Sequence, residues 1–509
     1  MSVLDADVVV VGLGPVGSTL AALLGRRGVR VVAVDRDPNV FVLPRAAHID
    51  HVGLRTLQEL GILDDLLPEM IPNPGLDFVT ADRRLLMRVP GDQPSWSGLP
   101  ASMYFHQPGV DRALRAAAAA TAGVEVLLGA EMVGLDDLGD AVEVHLKGRG
   151  SLRASWVVGC DGAWSPVREA AGLQLEDLGF DERWLVVDLL LRDSHADLPR
   201  HAVHVCDPAR PHTTIPMPGA RYRFELQLAD DEAAAEAIRA QNVARLLTGY
   251  LRPEDAEVER AAVYTFHGLV AHAWRQGRVF IAGDAAHQMP PFLGQGMCSG
   301  LRDAANLAWK LAHVVRRDGP HTLLDSYESE RRPHVRAITQ AVIDFGALIC
   351  ARDPAEVDER DRRLLADPRP PERRVPFRLP SLHHGPLVLD GGGQLFIQPP
   401  IDGGGPRLDD VIGTRFLVLG RNADALGSCS TWWRDRAGAL VATVDDLAPW
   451  TAELGSWLDV RDAQFAVVRP DHYTLAVGSD LDSVTNHVAP LLVNSAAMAA
   501  AARREADLR

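Results

Sequence analysis

The sequence predicts an α/β fold with three domains: one built on a parallel sheet, one on an antiparallel sheet, and a smaller one at the C-terminus. Three observations predict it. The chain opens with a strand, glycine turn, helix and second strand; short alternating strands fill residues 176–270; and new strands follow a charged, proline-rich stretch at 353–380. With 509 residues and 47% hydrophobic content, the chain is large enough for several buried cores.

The first element is a β-branched run, Val8 to Val11, that meets Gly12, Gly14 and Gly17 before a helical stretch and a second β-run. Gly12 permits the sharp turn, Gly14 lets the backbone approach a pyrophosphate, and Gly17 allows close packing of helix and strand. Phosphate charge is then favoured at the helix N-terminus. This pattern is typical of a Rossmann-like unit that binds a dinucleotide.

Asp35 ends the second strand, eighteen residues after Gly17. A carboxylate at this place accepts hydrogen bonds from a ribose 2′-hydroxyl and disfavours a 2′-phosphate. Arg36 follows it directly and is included in the predicted site, as are Pro15 and Val16 of the turn.

The later elements extend this domain and add two more. A helix and three β-like runs in 106–160 continue the nucleotide domain, and the strands of 176–270 suit an antiparallel sheet with one covered face. The predicted divisions are 1–75, 106–175 and 271–350 for the first domain, 76–105 and 176–270 for the second, 351–380 for a linker or wrapping segment, and 381–509 for the third.

Composition excludes several classes of function. The net charge is −16, from 68 acidic and 52 basic residues, so nucleic acid and anionic membranes are unfavourable partners. The five cysteines show no Cys-x-x-Cys pair or metal-like spacing, which indicates reduced thiols and predicts no metal site. The N-terminus has no basic region before its short apolar run, and eighteen uninterrupted apolar residues occur nowhere. We expect a cytoplasmic protein.

Two further motifs each follow an apolar strand: "CDGAWSPVR", Cys160 to Arg168, and "VFIAGDAAHQMPPFLGQGMCSGLRDAANLAWKLA", Val279 to Ala312. Either alone could be a turn, but with the glycine turn their order and spacing resemble the class A flavoprotein aromatic hydroxylases, the para-hydroxybenzoate hydroxylase family. The resemblance covers roughly residues 5–350. Within that family, "GQGMCSGLRDAANLAWKL" and "VVRPDHY" are most similar to the 3-(3-hydroxyphenyl)propionate hydroxylase branch.

The C-terminal region resembles the thioredoxin-like domain of phenol and polyketide hydroxylases. It lacks a redox cysteine pair and has only Cys429, in "GSCSTWW". Packing or contact within a homodimer is therefore its expected use, and thiol chemistry is not.

The resemblance implies FAD, held in a Rossmann-like domain of the glutathione reductase type. Asp284 then holds a ribityl hydroxyl, and the helix that begins near Gly296 directs its amides at the flavin N1/C2 edge. Arg45 and Gln107 match contacts near the pyrophosphate, although a surface arginine and a capping glutamine are alternatives. The complete predicted cofactor site is Gly12, Gly14, Pro15, Val16, Gly17, Asp35, Arg36, Arg45, Gln107, Val133, Asp161, Gly162, Arg168, Gly283, Asp284, Pro291, Gly294, Gly296 and Met297.

The resemblance also implies NADH or NADPH as a transient co-substrate and O2 as oxidant. Asp161 and Arg168 serve both FAD and the nicotinamide in the family, and no second glycine fingerprint exists here. One oxygen atom reaches the ring through a flavin C4a-hydroperoxide in such enzymes. Cys298 stands where many relatives carry Asn, so a side-chain amide near the flavin pyrimidine is absent.

The predicted catalytic residues are Arg45, His48 and Pro291, of which Pro291 aligns with a cavity-lining proline of the family. His48 is chosen as phenol base because it lies near Arg45; the other candidates are His106, His204, His287 and Tyr222. For the substrate we name Arg221, Tyr222 and Arg223. The two arginines alternate on one predicted strand and share a face, and Tyr222 lies on the other face.

The predicted function is therefore hydroxylation of a small phenolic compound, such as a 3-(3-hydroxyphenyl)propionate-like acid. One alternative is hydroxylation of an aromatic polyketide or antibiotic. Another is a flavin-fold binding protein without turnover, since a fold alone does not determine function.

Overall fold

The computed structural model describes residues 4–192, 197–375, 377–401 and 405–494. These residues form 23 strands: β1 (Ala6–Val11), β2 (Val31–Asp35), β3 (His48–Asp50), β4 (Ile71–Pro72), β5 (Gly75–Val79), β6 (Leu85–Pro90), β7 (Ser102–Tyr104), β8 (Val124–Leu128), β9 (Met132–Asp137), β10 (Val142–Leu146), β11 (Gly150–Gly159), β12 (Leu175–Leu191), β13 (Ala202–Val205), β14 (His212–Met217), β15 (Arg221–Gln227), β16 (Ala256–Ala271), β17 (Arg275–Gln276), β18 (Val279–Ile281), β19 (His287–Gln288), β20 (Leu417–Gly420), β21 (Leu440–Thr443), β22 (Phe465–Val468) and β23 (Thr474–Gly478).

The same residues form 16 α-helices, together with short 3-10 and π turns: α1 (Pro15–Arg26), α2 (His51–Glu59), α3 (Leu63–Leu66), α4 (Gln107–Ala120), α5 (Pro166–Ala170), α6 (Ala234–Ala237), α7 (Ala240–Leu246), α8 (Gly296–Arg317), α9 (Asp325–Cys350), α10 (Pro354–Ala366), α11 (Pro371–Arg374), α12 (Leu408–Ile412), α13 (Ala423–Leu426), α14 (Ser430–Trp432), α15 (Thr451–Asp459) and α16 (Leu481–Leu492).

The first sheet is mainly parallel and has β1 near its centre. Its strand order is β17-β18-β11-β1-β2-β8, and β10 and β9 extend from β11 as an antiparallel pair. Strands β18, β11, β1, β2 and β8 run parallel. The carboxyl ends of β1, β2, β11 and β18 therefore meet at one edge of the sheet, where α/β proteins bind their ligands. In each of the three sequence motifs, the strand ends at this edge and the turn follows it.

The second sheet has eight strands in the order β19-β16-β12-β15-β14-β13-β5-β6. Every pairing is antiparallel except β13 with β5. One face packs a cluster around Tyr222 and Phe224, and the other carries Trp184, His204 and charged residues. The alternation predicted for 176–270 is thus present, and both faces are covered.

The C-terminal unit is a four-stranded mixed sheet, β21-β20-β22-β23, with only the β20–β21 pair parallel. Successive residues of β20 enter different cores because side chains alternate along a strand. Val418 packs in the core shared with α8 and α16, and Leu417 and Leu419 pack against α15. The unit therefore shares a continuous core with the first domain.

Buried charges also join the C-terminal unit to the helices of the first domain. Arg469 and Asp471, from the "VVRPDHY" stretch, lie beside Glu330 of α9 and Asn306 of α8: Arg469 contacts Glu330 at 2.9 Å, and Asn306 donates to Asp471 at 2.9 Å. Burial lowers the pKa of nearby Lys310 to about 8, although Glu330 opposes that shift. This motif is an interdomain contact, which agrees with the packing role expected for the domain.

The segment predicted as a linker or wrapping segment contains α10 and α11. Asp353 caps α10 by accepting from the amides of Ala355 and Glu356, and a proline occupies the first helical turn. Arg374 donates to the carbonyls of Leu85 and Leu86 on β6. The segment is therefore held against the second sheet. An Asp-Pro pair is a helix start signal in the sequence, but the high charge of the segment conceals the helix that follows.

The α/β class is confirmed, and the domain boundaries stay predictions. In the described ranges no single helix is long and apolar enough to cross a membrane; one bent pair, 321–350 with 354–366 at 111°, meets the criteria of length and composition together.

Arg55 of α2 provides a test of how the C-terminal unit is held. Its buried guanidinium donates to both carboxylate oxygens of Asp409, each at 2.7 Å, and to the carbonyl of Phe396 at 2.6 Å. We expect Arg55→Met to destabilise the protein by about 3–5 kcal/mol, because Asp409 stays buried without its guanidinium partner and, among the described residues, keeps only His472, at 3.6 Å, beside it. Thermal unfolding of the purified protein measures the change.

The matched control is Arg407→Met, at the exposed rim of the same interface, where Arg407 contacts Asp64 at 2.7 Å. Surface pairs contribute only about 0–1 kcal/mol, so its unfolding midpoint should hardly change. Equal midpoints for the two variants would contradict the role given to Arg55.

Candidate active site

A cavity of about 980 Å³ lies between the carboxyl edge of the first sheet and one face of the second sheet. The glycine turn, the segment after β11 and the start of α8 line one end. Side chains of β12 to β16 line the other end, and Phe377 and Leu379 of the wrapping segment complete the wall. A single cavity therefore joins a dinucleotide-binding edge to a second, walled pocket.

The three glycines of the turn meet three different demands. Gly12 has a φ of +95°, and a Cβ there would lie 2.5 Å from the carbonyl oxygen of Cys160. At Gly17 a Cβ would lie 1.8 Å from the carbonyl oxygen of Gly12. At Gly14, by contrast, a Cβ would meet no described atom within 4 Å, and Gly14 lines the cavity. Gly12 and Gly17 shape the turn, and Gly14 leaves room for a ligand.

Asp35 is tied to the turn that it follows. Its Oδ2 accepts from the amide of Leu13 at 2.7 Å and from Arg115 at 3.3 Å, and its Oδ1 accepts from the amide of Asp37 at 2.8 Å. The carboxylate lies beside the glycine turn but outside the cavity lining. Its predicted ribose contact stays a prediction, with Arg36 lining the cavity next to it.

Asp161 and Arg168 hold the shape of the segment after β11. Asp161 accepts from the hydroxyl of Ser165 and from the amide of Val167, and burial raises the pKa of this carboxyl. Arg168 donates to the carbonyls of Ala285 and Ala163, at 2.9 and 2.8 Å. Both residues line the cavity, and through Arg168 this segment also holds the loop after β18 in position.

Asp284 and the start of α8 offer the cavity a carboxylate and backbone donors. The Asp284 side chain is exposed to the cavity, and no hydrogen bond to it occurs among the described residues. Gln295 precedes α8 without a side-chain cap, so the first amides of the helix, at Gly296 and Met297, face the cavity. A helix N-terminus of this kind stabilises negative charge.

Asp303 of α8 fixes the position of this loop. Its Oδ2 accepts from the amide of Gly283 at 3.2 Å and from His287 Nε2 at 2.7 Å, and its Oδ1 accepts from Arg331 Nε at 2.9 Å. His287 is 1% exposed and stacks on Trp274. His287, a candidate phenol base from the sequence, is thus held in a buried ion cluster away from the cavity lining.

Gln107 and Arg45 meet at the cavity wall, where the Gln107 side chain binds the backbone; their predicted cofactor contacts stay predictions. Its Oε1 accepts from the amides of Arg45 and Ala46, each at 2.7 Å. The Arg45 side chain is exposed, lies 5.9 Å from the Phe41 ring centroid and lines the cavity. Gln107 therefore positions the loop that presents the Arg45 cation.

His48 lies behind the loop that precedes α8. Its Nδ1 is 3.2 Å from the carbonyl oxygen of Gly294, and a Cβ at Gly294, where φ is +63°, would lie 2.8 Å from the same ring nitrogen. Burial lowers the pKa of His48, with Asp50 opposing the shift. A neutral imidazole that lines the cavity fits a proton acceptor, and its catalytic role stays a prediction.

Only one of the three predicted substrate residues faces the cavity. Arg223 lines it, whereas Arg221 pairs with Glu259 at 3.0 Å and Tyr222 lies on the opposite face, where its hydroxyl donates to the carbonyl of Pro199. The prediction that Tyr222 and Arg223 lie on different faces is therefore correct, but Arg221 and Tyr222 are not brought to the site. Arg221 shares a face with Arg223, but it is the first residue of β15 and lies beyond the part of the sheet that the cavity covers.

Several cavity residues were not predicted from the sequence. Glu225 lines the cavity two residues after Arg223 and was missed, although strand alternation could have found it. Phe377 and Leu379 lie in the segment predicted as a linker or wrapping segment, and no sequence pattern indicates that they line the cavity. Val133 is 59% exposed on β9 and outside the cavity lining, because β9 is a peripheral strand of the first sheet.

The other predicted residues fall into two sets. Those that line the cavity are Gly14, Pro15, Val16, Arg36, Arg45, His48, Gln107, Asp161, Gly162, Arg168, Arg223, Asp284, Pro291, Gly294, Gly296 and Met297. Gly12, Gly17, Asp35 and Gly283 support that lining from behind.

These residues fit FAD. The space beside Gly14, the carboxylate of Asp284 and the uncapped start of α8 supply a pyrophosphate cradle, a hydroxyl acceptor and a donor edge for negative charge. The remaining end, with aromatic and polar walls, has the character of a small-molecule site.

The sequence profile of the FAD binding domain family matches residues 5–342, and that of the HcaD C-terminal domain matches residues 393–490. The chain is 36% identical to a probable NADH-specific resorcinol 4-hydroxylase from Rhodococcus jostii RHA1, covering 93% of this chain and 92% of the relative. It is also 36% identical to a 3-(3-hydroxy-phenyl)propionate/3-hydroxycinnamic acid hydroxylase from Mycobacterium sp. JLS, covering 92% and 88%.

Solved structures show the same fold. The p-nitrophenol 4-monooxygenase PnpA from Pseudomonas putida DLL-E4 has 27% identity and a TM-score of 0.65, over 72% of this chain and 94% of that one. Aklavinone-11 hydroxylase, solved with FAD and aklavinone, has 23% identity and a TM-score of 0.77, over 97% and 100%. The second likeness covers all three units and concerns the fold alone.

Gly14 provides a test of the cofactor cradle. We expect Gly14→Val to raise the Kd for FAD at least about tenfold, because its methyl groups occupy the cradle and each 1.4 kcal/mol of lost contact is a factor of ten. The apoprotein should keep its unfolding midpoint, since the Cβ meets no described atom. Gly455→Val, also in open space but on α15, is the control that should bind FAD normally. Normal FAD affinity in Gly14→Val would contradict the cradle.

Phe377 provides a test of the wall. Its ring lies 6.0 Å from that of Phe345 and covers the cavity from the wrapping segment. We expect Phe377→Ala to raise severalfold the share of oxidised NADH that ends as H2O2, because water enters the site. Phe377→Leu keeps most of the apolar volume and should stay near the parent value. Peroxide assays during turnover measure both, and no increase in Phe377→Ala would exclude this role.

Proposed function

The chain belongs to the FAD binding domain family as an FAD-dependent aromatic-ring monooxygenase, and on this premise we propose that it hydroxylates a small phenolic compound with O2 and a reduced nicotinamide. The observation that carries the proposal is the single cavity that connects the FAD cradle to the walled end on the second sheet. Ring and cofactor must meet in one space, and this cavity joins the two ends.

When bound, FAD supplies hydride acceptance and activation of O2. Around it the chain contributes binding and electrostatics. The amides at the start of α8 would stabilise negative charge on the cofactor, Asp284 would accept from one of its hydroxyls, and Arg45 would present a cation to it. Pro291 and Phe292 line the cavity, and Phe377 would limit the access of water to it from the wrapping segment.

The size of the cavity supports a single-ring substrate. Its volume of about 980 Å³ must hold the flavin as well as the substrate, and sites for drug-sized ligands alone span about 300–1,000 Å³. A 3-(3-hydroxyphenyl)propionate-like acid and an uncharged phenol such as resorcinol both meet this limit. The names of the two 36% identical relatives support both candidates, and the Rhodococcus relative supports NADH as reductant. A homodimer and a cytoplasmic location stay predictions from the sequence.

The test is reduction of the FAD-loaded protein by NADH and by NADPH, alone and with resorcinol or 3-(3-hydroxyphenyl)propionate, followed by reaction with O2. We expect one phenol to accelerate NADH oxidation and to yield hydroxylated product in step with O2 consumption. Stopped-flow absorbance and product chromatography measure both.

Two results would contradict the proposal. If only a multi-ring aromatic is hydroxylated, the polyketide alternative replaces it. If FAD binds but neither nicotinamide reduces it under any condition, the chain is a binding protein without turnover.

A further inference from the structure

A polar row crosses the cavity face of the second sheet. His204 of β13 pairs with Thr213 of β14, and Thr213 pairs with Glu225 of β15. Residues directly opposite one another in neighbouring strands share a face. All three line the cavity, and none belongs to the predicted FAD contacts.

Glu225 is a buried carboxylate without a hydrogen bond from any described residue. The residue is 5% exposed, and its nearest cation, Arg223 Nη1, is 3.8 Å from Oε1. The Arg223 donors are used elsewhere: Nε donates to Asp188 at 2.7 Å, Nη1 to the carbonyl of Arg45 and Nη2 to that of Pro44. A buried charge in this situation is costly unless a ligand donates to it.

The second cation of this face, Arg260, pairs with the same Asp188 carboxylate. Arg260 Nη2 lies 2.8 Å from Asp188 Oδ2, and Arg260 Nη1 donates to the Tyr264 hydroxyl at 3.0 Å. Arg260 Nε has no partner among the described residues. The positive charges of Arg223 and Arg260 are nevertheless balanced by the carboxylates of Asp188 and Glu225, so a substrate carboxylate at this end of the cavity would add a third anion to two cations. Arg45, whose side chain is exposed beside Phe41, belongs to the other wall.

His204 and Thr213 extend the row with a neutral acceptor. His204 Nε2 lies 2.9 Å from the carbonyl of Phe292, which can only accept, so Nε2 carries the proton. Nδ1 then accepts from the Thr213 hydroxyl at 2.6 Å, and the lone pairs of that oxygen remain for a donor. Burial lowers the pKa of His204 to about 4, which keeps the ring neutral.

We propose, building on the proposed function, that Glu225 accepts the hydrogen bond and then the proton of the substrate's phenol, and that the substrate is an uncharged hydroxybenzene and not a ring-borne carboxylate. A substrate carboxylate in this row would face Glu225 as a third anion beside two arginines whose charge Asp188 and Glu225 already balance, and like charges repel. A ring hydroxyl satisfies the buried carboxylate instead. Thr213, on the neighbouring strand, suits a second hydroxyl on the same ring.

The proton step needs no other reactant. The phenol O–H bond breaks, the proton binds a Glu225 carboxylate oxygen, and the electron pair stays on the phenolate oxygen. The ring becomes more electron-rich, as oxygen transfer requires, and the proton returns to the product oxygen afterwards. Glu225 thus ends the cycle as a carboxylate.

The charges around Glu225 give a pH dependence. Burial raises the pKa of Glu225; Arg223 on its own strand and Arg260 of β16 oppose the shift, and Asp188 of β12 adds to it. His204 faces it only through Thr213. The acceptor form is present above the raised pKa and is lost as the pH falls through it, so kcat/KM for the phenol falls on the acid side.

The experiment compares resorcinol with 3-(3-hydroxyphenyl)propionate in the parent protein and in Glu225→Gln. We expect the parent to prefer resorcinol at least about tenfold in kcat/KM, a difference of 1.4 kcal/mol. Glu225→Gln should lower resorcinol turnover by about 10²–10⁴-fold, the usual contribution of acid–base catalysis, and should remove the acid limb of the profile. FAD content and reduction by NADH without substrate should not change.

Two further variants make the result decisive. Glu259→Gln removes a carboxylate at the sheet margin that, among the described residues, forms an ion pair with Arg221 alone, and this variant should behave like the parent. Glu225→Asp keeps a carboxylate, so it should retain the acid limb and part of the activity; it also serves if Glu225→Gln fails to fold.

The outcomes separate this proposal from the proposed function. A parent enzyme that hydroxylates the propionate better than resorcinol, or a folded Glu225→Gln with unchanged turnover and pH profile, overturns the role of Glu225 while hydroxylation stands. Failure to hydroxylate any phenol would instead overturn the proposed function.

Discussion

The site depends on one buried interaction, the contact of the Asp303 carboxylate with the amide of Gly283, His287 and Arg331. These partners come from the loop after β18, from β19 and from α9, and Asp303 itself lies on α8. Because a buried carboxylate is costly without partners, each of these elements has one low-energy position relative to α8. Nearby Cys160 and Tyr327 are also buried, and burial raises the pKa of both. The cluster therefore fixes where α8 begins and where Asp284 faces the cavity.

The other parts of the molecule form the remaining walls of the cavity and support α8. The second sheet provides the far wall, the wrapping segment covers it with Phe377 and Leu379, and the C-terminal unit packs on α8 from behind. Trp309 of α8 meets Phe416 of the C-terminal unit at 5.3 Å. A helix that is buried on all sides cannot shift without loss of packing, so its N-terminus stays directed at the cavity. The C-terminal unit thus holds α8 in place by packing, a role for which a redox cysteine pair is not needed.

The two ends of the cavity have different electrostatic character. The cofactor end combines backbone donors with the Arg45 and Arg168 cations, as a pyrophosphate requires. The far end presents Glu225, Thr213 and His204, and its two arginines are bound to Asp188 and to carbonyl oxygens. An anionic cofactor and an uncharged, hydroxyl-bearing ring are the ligands that this division favours.

The sequence by itself determined the α/β class and most of the residues that line the cofactor end of the cavity, because glycine turns and strand-end motifs encode local backbone geometry. The identity of the cofactor, FAD, followed from the resemblance of these motifs to a known family. The spacing of Gly12, Gly14 and Gly17 predicts a tight turn, an open approach and a close packing contact, and the backbone shows all three. Only the tertiary structure decided which side chains face the cavity.

Strand alternation groups Arg221 with Arg223 and separates Tyr222, but which face is covered, and how far along the strand, depends on distant segments. The same reason explains His287, whose ring is buried by Asp303 and Trp274. It also explains Glu225, whose importance depends on where Arg223 directs its donors. Long-range packing, and not local pattern, selects the residues that meet the substrate.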